Sequence, residues 1–224
     1  MRQALLPVVA LEGHDPVLRA ELARAAGAWL SGDSSALDAG FARTALAVAV
    51  QDRGLPFMRE LMQALVKSDD PLFRDYASRA IGSADTSALA GQALDLALAP
   101  DVQSIDLVRI VLQLSRQPGA RSTLAEFGER HFARLIDRFP GFERPQFVHI
   151  YDGYCSAADV ARVDALVHPK LRELGGGELE LSQVKERIGI CASLKAAKEG
   201  EVTAVLASAT AAHTARPGDP SARR

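Results

Sequence analysis

The residues that could bind a metal or take part in catalysis are first of all five histidines: His14, His131, His149, His168 and His213. A zinc hydrolase helix usually carries H-E-x-x-H, because this spacing puts two imidazoles on one helix face with a glutamate beside the metal-bound water. None of the five histidines precedes a glutamate, and no two of them are four residues apart. The sequence therefore predicts no metal site and no catalytic residues in this chain.

The two cysteines, Cys155 and Cys191, are far apart and form no C-x-x-C motif. This pattern predicts two buried thiols rather than a disulfide framework or a zinc knuckle. Cys155 follows His149 by six residues, but a catalytic Cys–His pair needs direct contact and a third, orienting group. The sequence favours a partly buried cysteine near the end of a helix.

A third candidate for chemistry is the stretch SRQPGARSTLAEF, residues 115–127. A phosphate-binding loop presents several converging backbone N–H groups, usually from glycines, and often a lysine at the helix start. This stretch has one glycine, and its Pro118 has no N–H. Arg121 is suited to hold an anion at a helix N-terminus, but the pattern favours a joint between two helices. The sequence contains no Walker loop, G-x-G-x-x-G or G-x-S-x-G motif.

The composition limits the classes of partner. The formal net charge of the 224 residues is −2, so no general basic field indicates a nucleic-acid partner. No apolar run approaches the roughly 20 residues that a membrane-spanning helix needs, so we expect no membrane partner. A cytoplasmic location is a separate expectation. Aromatic residues make up only 5% of the chain, and its many alanines and leucines favour helices.

Apolar residues recur at helical spacing along the chain, as in Met58, Leu61, Met62 and Leu65. Asp15 and Asp70 each stand before a proline, where a carboxylate caps a helix and proline takes its first position. Short connections between the periodic segments predict an all-α fold, an α-solenoid of antiparallel helix hairpins like a HEAT or armadillo superhelix. The predicted helices are 16–31, 35–51, 55–67, 71–82, 86–98, 103–116, 121–138, 143–154, 157–174, 179–198 and a short 200–208.

The predicted domain organisation has three parts. Residues 1–15 are interpreted as a linker or the edge of an expressed fragment, 16–208 as the helical domain, and 209–224 as a disordered tail. Glycines after periodic segments, at Gly32, Gly82 and positions 175–177, are expected to end helices with a positive φ. The predicted core residues are Leu61, Leu65, Ile110, Leu114, Phe127, Leu135, Val167 and Ile188.

Two short motifs carry a resemblance to a known family. VQSID at 102–106 and QPGAR at 117–121 are followed by Phe127 and Phe132 in phase on one helix. In this order they resemble V-R-S-Q-D, N-P-x-G-(R/K) and the aromatic helix in the C-terminal helical domain of zinc aminopeptidases of the puromycin-sensitive and endoplasmic-reticulum type. The resemblance covers roughly residues 17–208. The chain departs from the family pattern at Ile105, Gln117, Ala120, Ala125 and Phe132.

The resemblance implies a non-catalytic C-terminal domain of a zinc metalloaminopeptidase, a peptide hydrolase. Such a domain caps the catalytic domain of the same polypeptide, encloses the substrate chamber and contacts peptide substrates. The zinc cofactor is expected in the parent catalytic domain and not in this chain, which should be inactive alone. Two alternatives remain open: a free-standing α-solenoid that binds a protein partner, and an autonomous helical enzyme.

The resemblance also suggests one peptide-binding residue, Arg79. Aligning FRDYASRAIG, residues 73–82, onto the family helix whose basic residue holds the far carboxylate of a peptide puts Arg79 near that position. Arginine suits this task because its planar fork can hold a carboxylate through two hydrogen bonds. The hypothesis requires an accessible Arg79 that is not paired with Asp75. Otherwise, Arg79 is a solvated arginine that favours the helix dipole.

Overall fold

The fold is all-α, as predicted. A computed structural model describes the backbone of residues 2–214 and the side chains of residues 5–208, and this part of the chain contains no β-strand. The α-helices are α1 (Arg2–Pro7, continued by a π-helical turn Val8–Glu12), α2 (Pro16–Leu30), α3 (Ala39–Lys67), α4 (Pro71–Ile81), α5 (Ser87–Ala97), α6 (Ser104–Leu114), α7 (Arg121–Arg130), α8 (Phe132–Arg138), α9 (Ala157–Val167), α10 (Leu171–Leu174) and α11 (Glu178–Thr214). Segments of 3₁₀-helix are Pro118–Ala120, Gly141–Tyr151 and His168–Lys170.

Several predicted helices differ in extent from those of the structure. The helix predicted over 121–138 is interrupted at His131, whose backbone is not helical, and forms α7 and α8. The helix predicted over 143–154 is a 3₁₀-helix containing Pro145. The helix predicted over 157–174 is broken by a 3₁₀ turn at Pro169, because proline cannot donate the backbone hydrogen bond that an α-helix interior requires.

Helix α3 is kinked between its two predicted halves. Gly54 has φ 64° and ψ −148° inside it, a conformation that favours glycine because it lacks a Cβ. Pro56 follows in the first turn of the second half. The break predicted between residues 51 and 55 is therefore present, as a bend in one long element.

The predicted helix caps are confirmed. The Asp15 carboxylate accepts a hydrogen bond from the Leu18 N–H at 2.8 Å, and the Asp70 carboxylate accepts one from the Leu72 N–H at 2.9 Å. Each satisfies one of the N–H groups that a helix start leaves without an internal partner. The hydroxyl of Thr86 caps α5 in the same way.

The glycine predictions are confirmed except at Gly82. Gly32 and the glycines at 175–177 have positive φ, whereas Gly82 has φ −69°. A Cβ built on Gly82 would lie 2.7 Å from the carbonyl oxygen of Ile110. Glycine therefore allows α4 and α6 to approach closely at this point, rather than supplying a special backbone conformation.

Neighbouring elements pack on one another in chain order. α2 and α4 pack on α3, α6 packs on α4, α7 packs on α5, and α9 and the 141–151 segment pack on α11. Contacts between elements that are one or two apart in the chain are consistent with an α-solenoid-like fold. All eight predicted core residues are buried, and the core also contains many fully buried alanines, whose small side chains let helices approach closely.

One buried ion pair joins three helices in the middle of the fold. The guanidinium of Arg74 on α4 contacts the carboxylate of Asp106 on α6, and both side chains are buried. Arg74 also donates to the carbonyl oxygens of Leu65 at 2.8 Å and Ser68 at 2.7 Å, at the end of α3. A second carboxylate oxygen of Asp106 accepts from Arg109 at 3.2 Å. Asp106 is the last residue of the VQSID motif, so this motif has a structural role here.

A similar pair lies nearer the N-terminus. The buried Arg19 on α2 donates through Nε to both carboxylate oxygens of Asp52 at 3.2 Å. It also donates to the carbonyl oxygen of Ala10 at 2.8 Å and to the side chain of Gln51 at 3.1 Å. Arg19 thereby ties the N-terminal turn to α2 and α3.

The prediction of two buried thiols is wrong. Cys155 and Cys191 form a disulfide with their Cα atoms 5.1 Å apart, and Cys191 is exposed. Their 36-residue separation carries no motif, so the sequence pattern could not reveal that α11 folds back beside the end of the 141–151 segment.

The predicted domain boundaries remain predictions. The described backbone is helical in parts of both the predicted N-terminal linker and the predicted C-terminal tail. Residues within the predicted N-terminal linker form α1 and the π-helical turn, and Ala10 is fully buried. Helix α11 continues to Thr214, through the first part of the predicted tail, and residues 215–224 lie outside the described residues. None of the described helices is long and apolar enough to cross a membrane.

We expect Asp106→Asn to lower the free energy of unfolding by about 3–5 kcal/mol, because it leaves the buried Arg74 charge without a counter-charge. Urea denaturation followed by circular dichroism measures this. Glu201→Gln is the matched control, since the Lys198–Glu201 pair is solvent-exposed and such pairs contribute little. Equal stability of the Asp106→Asn and Glu201→Gln variants would contradict a structural role for the buried pair.

Reduction of the Cys155–Cys191 bridge should lower stability by roughly 2–4 kcal/mol, because the cross-link restricts the unfolded chain. The measurement compares thermal melts with and without a thiol reductant, using Cys155→Ser/Cys191→Ser as a reductant-insensitive control. Two reactive thiols in the unreduced, denatured protein would show that the bridge does not form.

Candidate functional site

Arg79, the predicted peptide-binding residue, lies in the last turn of α4 and is not free. Its Nε donates to the Asp75 carboxylate at 2.9 Å, one helical turn earlier, and its side chain is 32% exposed. The condition that Arg79 be unpaired by Asp75 is therefore not met in this conformation. Its role in peptide binding stays a prediction.

Asp75 is shared among three arginines. Besides Arg79, the Nε of Arg109 lies 3.4 Å from the Asp75 carboxylate, and a terminal nitrogen of Arg43 lies 3.7 Å from it. These three side chains come from α4, α6 and α3. Together with the buried Arg74–Asp106 pair, the group contains four guanidiniums and two carboxylates, so it carries an excess of positive charge. We call Arg43, Asp75, Arg79 and Arg109 the arginine cluster.

Within the arginine cluster, the sequence analysis named Arg79 and Asp75 but not Arg43 or Arg109. Arg43 and Arg109 lie more than 29 residues from Arg79 along the chain and meet it only because α3, α4 and α6 pack side by side. Asp75 was recognised as a possible competitor at helical i, i+4 spacing.

The QPGAR stretch is a helix joint, as predicted. Pro118–Ala120 form one 3₁₀ turn between α6 and α7. A Cβ on Gly119 would lie 1.9 Å from the carbonyl oxygen of Asp85, and the Ser87 hydroxyl donates to the Gly119 carbonyl oxygen at 3.0 Å. Glycine is needed here because the joint packs directly on the turn before α5.

His149, Asp152 and Arg187 form a polar network beside the disulfide. Arg187 of α11 donates to Asp152 at 2.7 Å and lies 2.8 Å from the His149 Nδ1, while His149 lies 3.1 Å from Asp152. Burial alone raises the pKa of Asp152, but hydrogen bonds and charge interactions with His149 and Arg187 outweigh it and lower that pKa below its ordinary value. The network holds α11 against the end of the 141–151 segment.

The described side chains do not assemble a metal or thiol site. Among residues 5–208, no three His, Cys, Asp or Glu side chains converge where they could hold a metal ion, so these residues do not fit a zinc ion. The sulfur of Cys155 is bonded to Cys191, and His149 faces Asp152 and Arg187. A Cys155–His149 catalytic pair is therefore incompatible with this structure.

Comparison with protein families identifies the family of this chain. The model of the ERAP1-like C-terminal domain matches residues 1–190, which is most of the chain. The chain belongs to this family. The predicted resemblance is thereby confirmed, and the chain is a C-terminal domain of the ERAP1 aminopeptidase type. A search of curated proteins finds no match.

Membership of this family bears on the domain organisation of the parent protein and on helix α11. A C-terminal domain of the ERAP1-like family is linked to the catalytic domain of an aminopeptidase. The match ends at residue 190, next to Cys191, so the second half of α11 lies beyond the ERAP1-like region.

We expect the Asp152 network to stabilise the fold mainly above the pKa of an unfolded aspartate, about 3.9. Because the folded-state pKa of Asp152 is lowered, its contribution is present above that value and is lost as the pH falls towards the folded pKa. Asp152→Asn should therefore be less stable than the natural protein at pH 7, and the difference should shrink in acid.

Thermal melts between pH 7 and pH 3 measure this difference. Asp137→Asn, at an exposed position of α8, is the control and should show little change at pH 7. A stability difference for Asp152→Asn that is independent of pH would contradict an electrostatic role for this carboxylate.

Proposed function

We propose that this chain caps the catalytic domain of a zinc aminopeptidase and encloses the chamber in which peptides are bound. The match to the ERAP1-like C-terminal domain over residues 1–190 carries this proposal. An array of stacked helices supports it physically, because such arrays present extended surfaces whose depth is set by helix length and number.

Zinc has its place in the catalytic domain in this proposal. It would polarise the scissile carbonyl and activate water there. We assign no zinc ligand to the described residues of this chain. In this proposal their role is to limit access and to bind the part of the peptide that is remote from the metal. The isolated chain should then hydrolyse no aminoacyl substrate.

The arginine cluster is the surface of this domain that we assign to peptide carboxylates. One carboxylate, Asp75, serves three arginines, so a peptide carboxylate could replace part of its interaction without leaving Asp75 unpaired. Arg43 is the most accessible member, with a side chain 55% exposed. Charge-assisted hydrogen bonds from a guanidinium fork to a carboxylate are among the stronger ones in proteins. Arg79 therefore acts as one member of a group.

The cytoplasmic location expected from the sequence stays a prediction. A disulfide such as Cys155–Cys191 is typical of proteins in oxidising compartments, so the bridge favours a secreted, periplasmic or luminal parent enzyme instead.

A free-standing scaffold is the alternative function, and the size of the natural protein separates the two. This chain accounts for 23.9 kDa, so the proposal expects a much larger band in its source cells with an antibody raised against residues 16–208. A single species of about this mass, with no catalytic domain co-purifying, would contradict the aminopeptidase proposal and support the scaffold.

In the full aminopeptidase, Arg79→Ala should raise the KM for long peptides with a free C-terminus several-fold, because one guanidinium of the arginine cluster is lost. The kcat for single-residue amide substrates should not change, since these do not reach the arginine cluster. Steady-state kinetics on both substrate classes measure the effect, with Arg79→Lys as a variant that keeps the charge. An equal loss on both substrate classes would assign Arg79 a structural role only.

A further inference from the structure

A polar cavity lies beside the QPGAR joint, away from the arginine cluster. It has a volume of about 420 Å³ and is bounded by the end of α6, the start of α7 and the 141–151 segment. We call it the joint cavity. Its lining residues are Leu112, Ser115, Arg116, Arg121, Gln146, His149, Asp152 and Gly153.

Arg121 enters the joint cavity without a counter-charge. Its side chain lies flat against Gly153, where a Cβ would come within 2.1 Å of the Arg121 Cδ. One terminal nitrogen makes a long hydrogen bond of 3.4 Å to the Gly153 carbonyl oxygen. The Nε is buried and has no hydrogen-bond partner among the described residues, which is equally true of the Arg74 Nε. Arg121 differs from Arg74 in that no described carboxylate lies within salt-bridge distance of its guanidinium, whereas Arg74 contacts Asp106.

The other charges of the joint cavity do not neutralise Arg121. Arg116 is a second, exposed guanidinium, and it forms no salt bridge within the described part of the chain. The one lining carboxylate, Asp152, is already engaged by Arg187 and His149. The joint cavity therefore carries uncompensated positive charge on two arginines.

Comparison of three arginines within this chain indicates which class of anion would pair with Arg121. Arg19, Arg74 and Arg121 each stand three residues after a proline that begins a helix or 3₁₀ turn: Pro16, Pro71 and Pro118.

The three arginines reach forward along the chain by nearly the same distance. Arg19 binds the carboxylate of Asp52, 33 residues ahead, and Arg74 binds that of Asp106, 32 residues ahead. Arg121 also contacts a residue 32 positions ahead, but this residue is Gly153, which offers only a carbonyl. The third arginine thus lacks the carboxylate that the chain supplies to the first two.

We propose that the joint cavity binds a carboxylate-bearing ligand, held by Arg121 and Arg116. Two arginines in equivalent positions bind carboxylates within this same chain, which favours that chemistry over a tetrahedral anion. At the joint, Pro118 has no N–H and the Ala120 N–H donates to the Gln117 carbonyl oxygen at 3.0 Å, so these two positions offer no N–H group of the kind that a phosphate loop uses. The volume leaves room for more than a carboxylate group, and Leu112 provides an apolar wall. The ligand is thus a small organic acid or the terminus of a peptide.

The test is a binding titration on the full 224-residue chain, with glutarate as the small acid. N-acetyl-trialanine is added in a second arm, with a free or an amidated C-terminus, and inorganic phosphate in a third, all at constant ionic strength. Nuclear magnetic resonance signals of the arginine Nε–H groups and the Gly153 amide report on the site directly. This inference does not depend on the proposed function, because no catalytic domain is needed.

Glutarate should bind saturably and shift the Arg121 and Gly153 signals. Arg116→Ala and Arg121→Ala should each raise the Kd about tenfold or more, as expected for the loss of a charge-assisted hydrogen bond. Gly153→Ala should have a similar effect, because its Cβ displaces the Arg121 side chain. Arg172→Ala is the matched control, since Arg172 also follows a proline by three residues but is exposed, and it should leave the Kd unchanged.

The three arms of the titration distinguish the possible ligands and define the outcomes that would contradict the proposal. Binding of the free-acid peptide but not the amide would identify a peptide terminus as a ligand, whereas binding of glutarate alone would identify a small organic acid. Non-saturable shifts, phosphate binding as tight as glutarate, or equal weakening by Arg172→Ala would each overturn the proposal. Because Arg116 is exposed, its variant tests the site even if Arg121→Ala does not fold.

Discussion

The buried contact between Arg74 and Asp106 is the constraint on which the middle of the structure depends. Removing two charges from water is costly, and the cost is offset only where further hydrogen bonds satisfy both groups. Here Arg74 donates to the carbonyl oxygens of Leu65 and Ser68, and Asp106 accepts from Arg109, although the buried Nε of Arg74 has no partner among the described residues. These contacts require one relative position of α3, α4 and α6. They therefore fix the register of the helices that carry the arginine cluster.

An arginine three residues after a helix-starting proline recurs along the chain, but its partner differs from one position to the next. In α2 and α4, an arginine in the first helical turn finds an aspartate supplied by a later part of the chain, and the result is structural. At the QPGAR joint the arginine finds a glycine carbonyl, and its charge faces a cavity. Where the residue 32 or 33 positions after the arginine is an aspartate, the arginine forms an internal ion pair. Where it is Gly153, the arginine is left to bind an external ligand in the joint cavity.

Much of the fold could be predicted from sequence because its signals are local. Apolar periodicity predicted most of the helices and a core that includes Leu61 and Ile188, and Asp–Pro pairs predicted two helix starts. Features that depend on distant contacts were missed, such as the Cys155–Cys191 bridge and the close approach at Gly82. The candidate site was only partly predictable, because Arg79 was suggested by an alignment onto a family helix, whereas Arg43 and Arg109 reach Asp75 through packing. The recurring proline–arginine spacing was the available signal for the joint cavity.

The burial of side chains on helix α11 changes at Cys191. Before the bridge, Leu181, Val184 and Ile188 are buried in the core, whereas all side chains from 193 to 208 are exposed. A helix without tertiary packing is marginal in water unless it is long or is nucleated at one end. The covalent bridge, together with the packed turns before it, provides such a nucleus. Backbone amides should therefore exchange with solvent ever faster from Cys191 towards the C-terminus, and the cooperative folding unit of this domain ends at its disulfide.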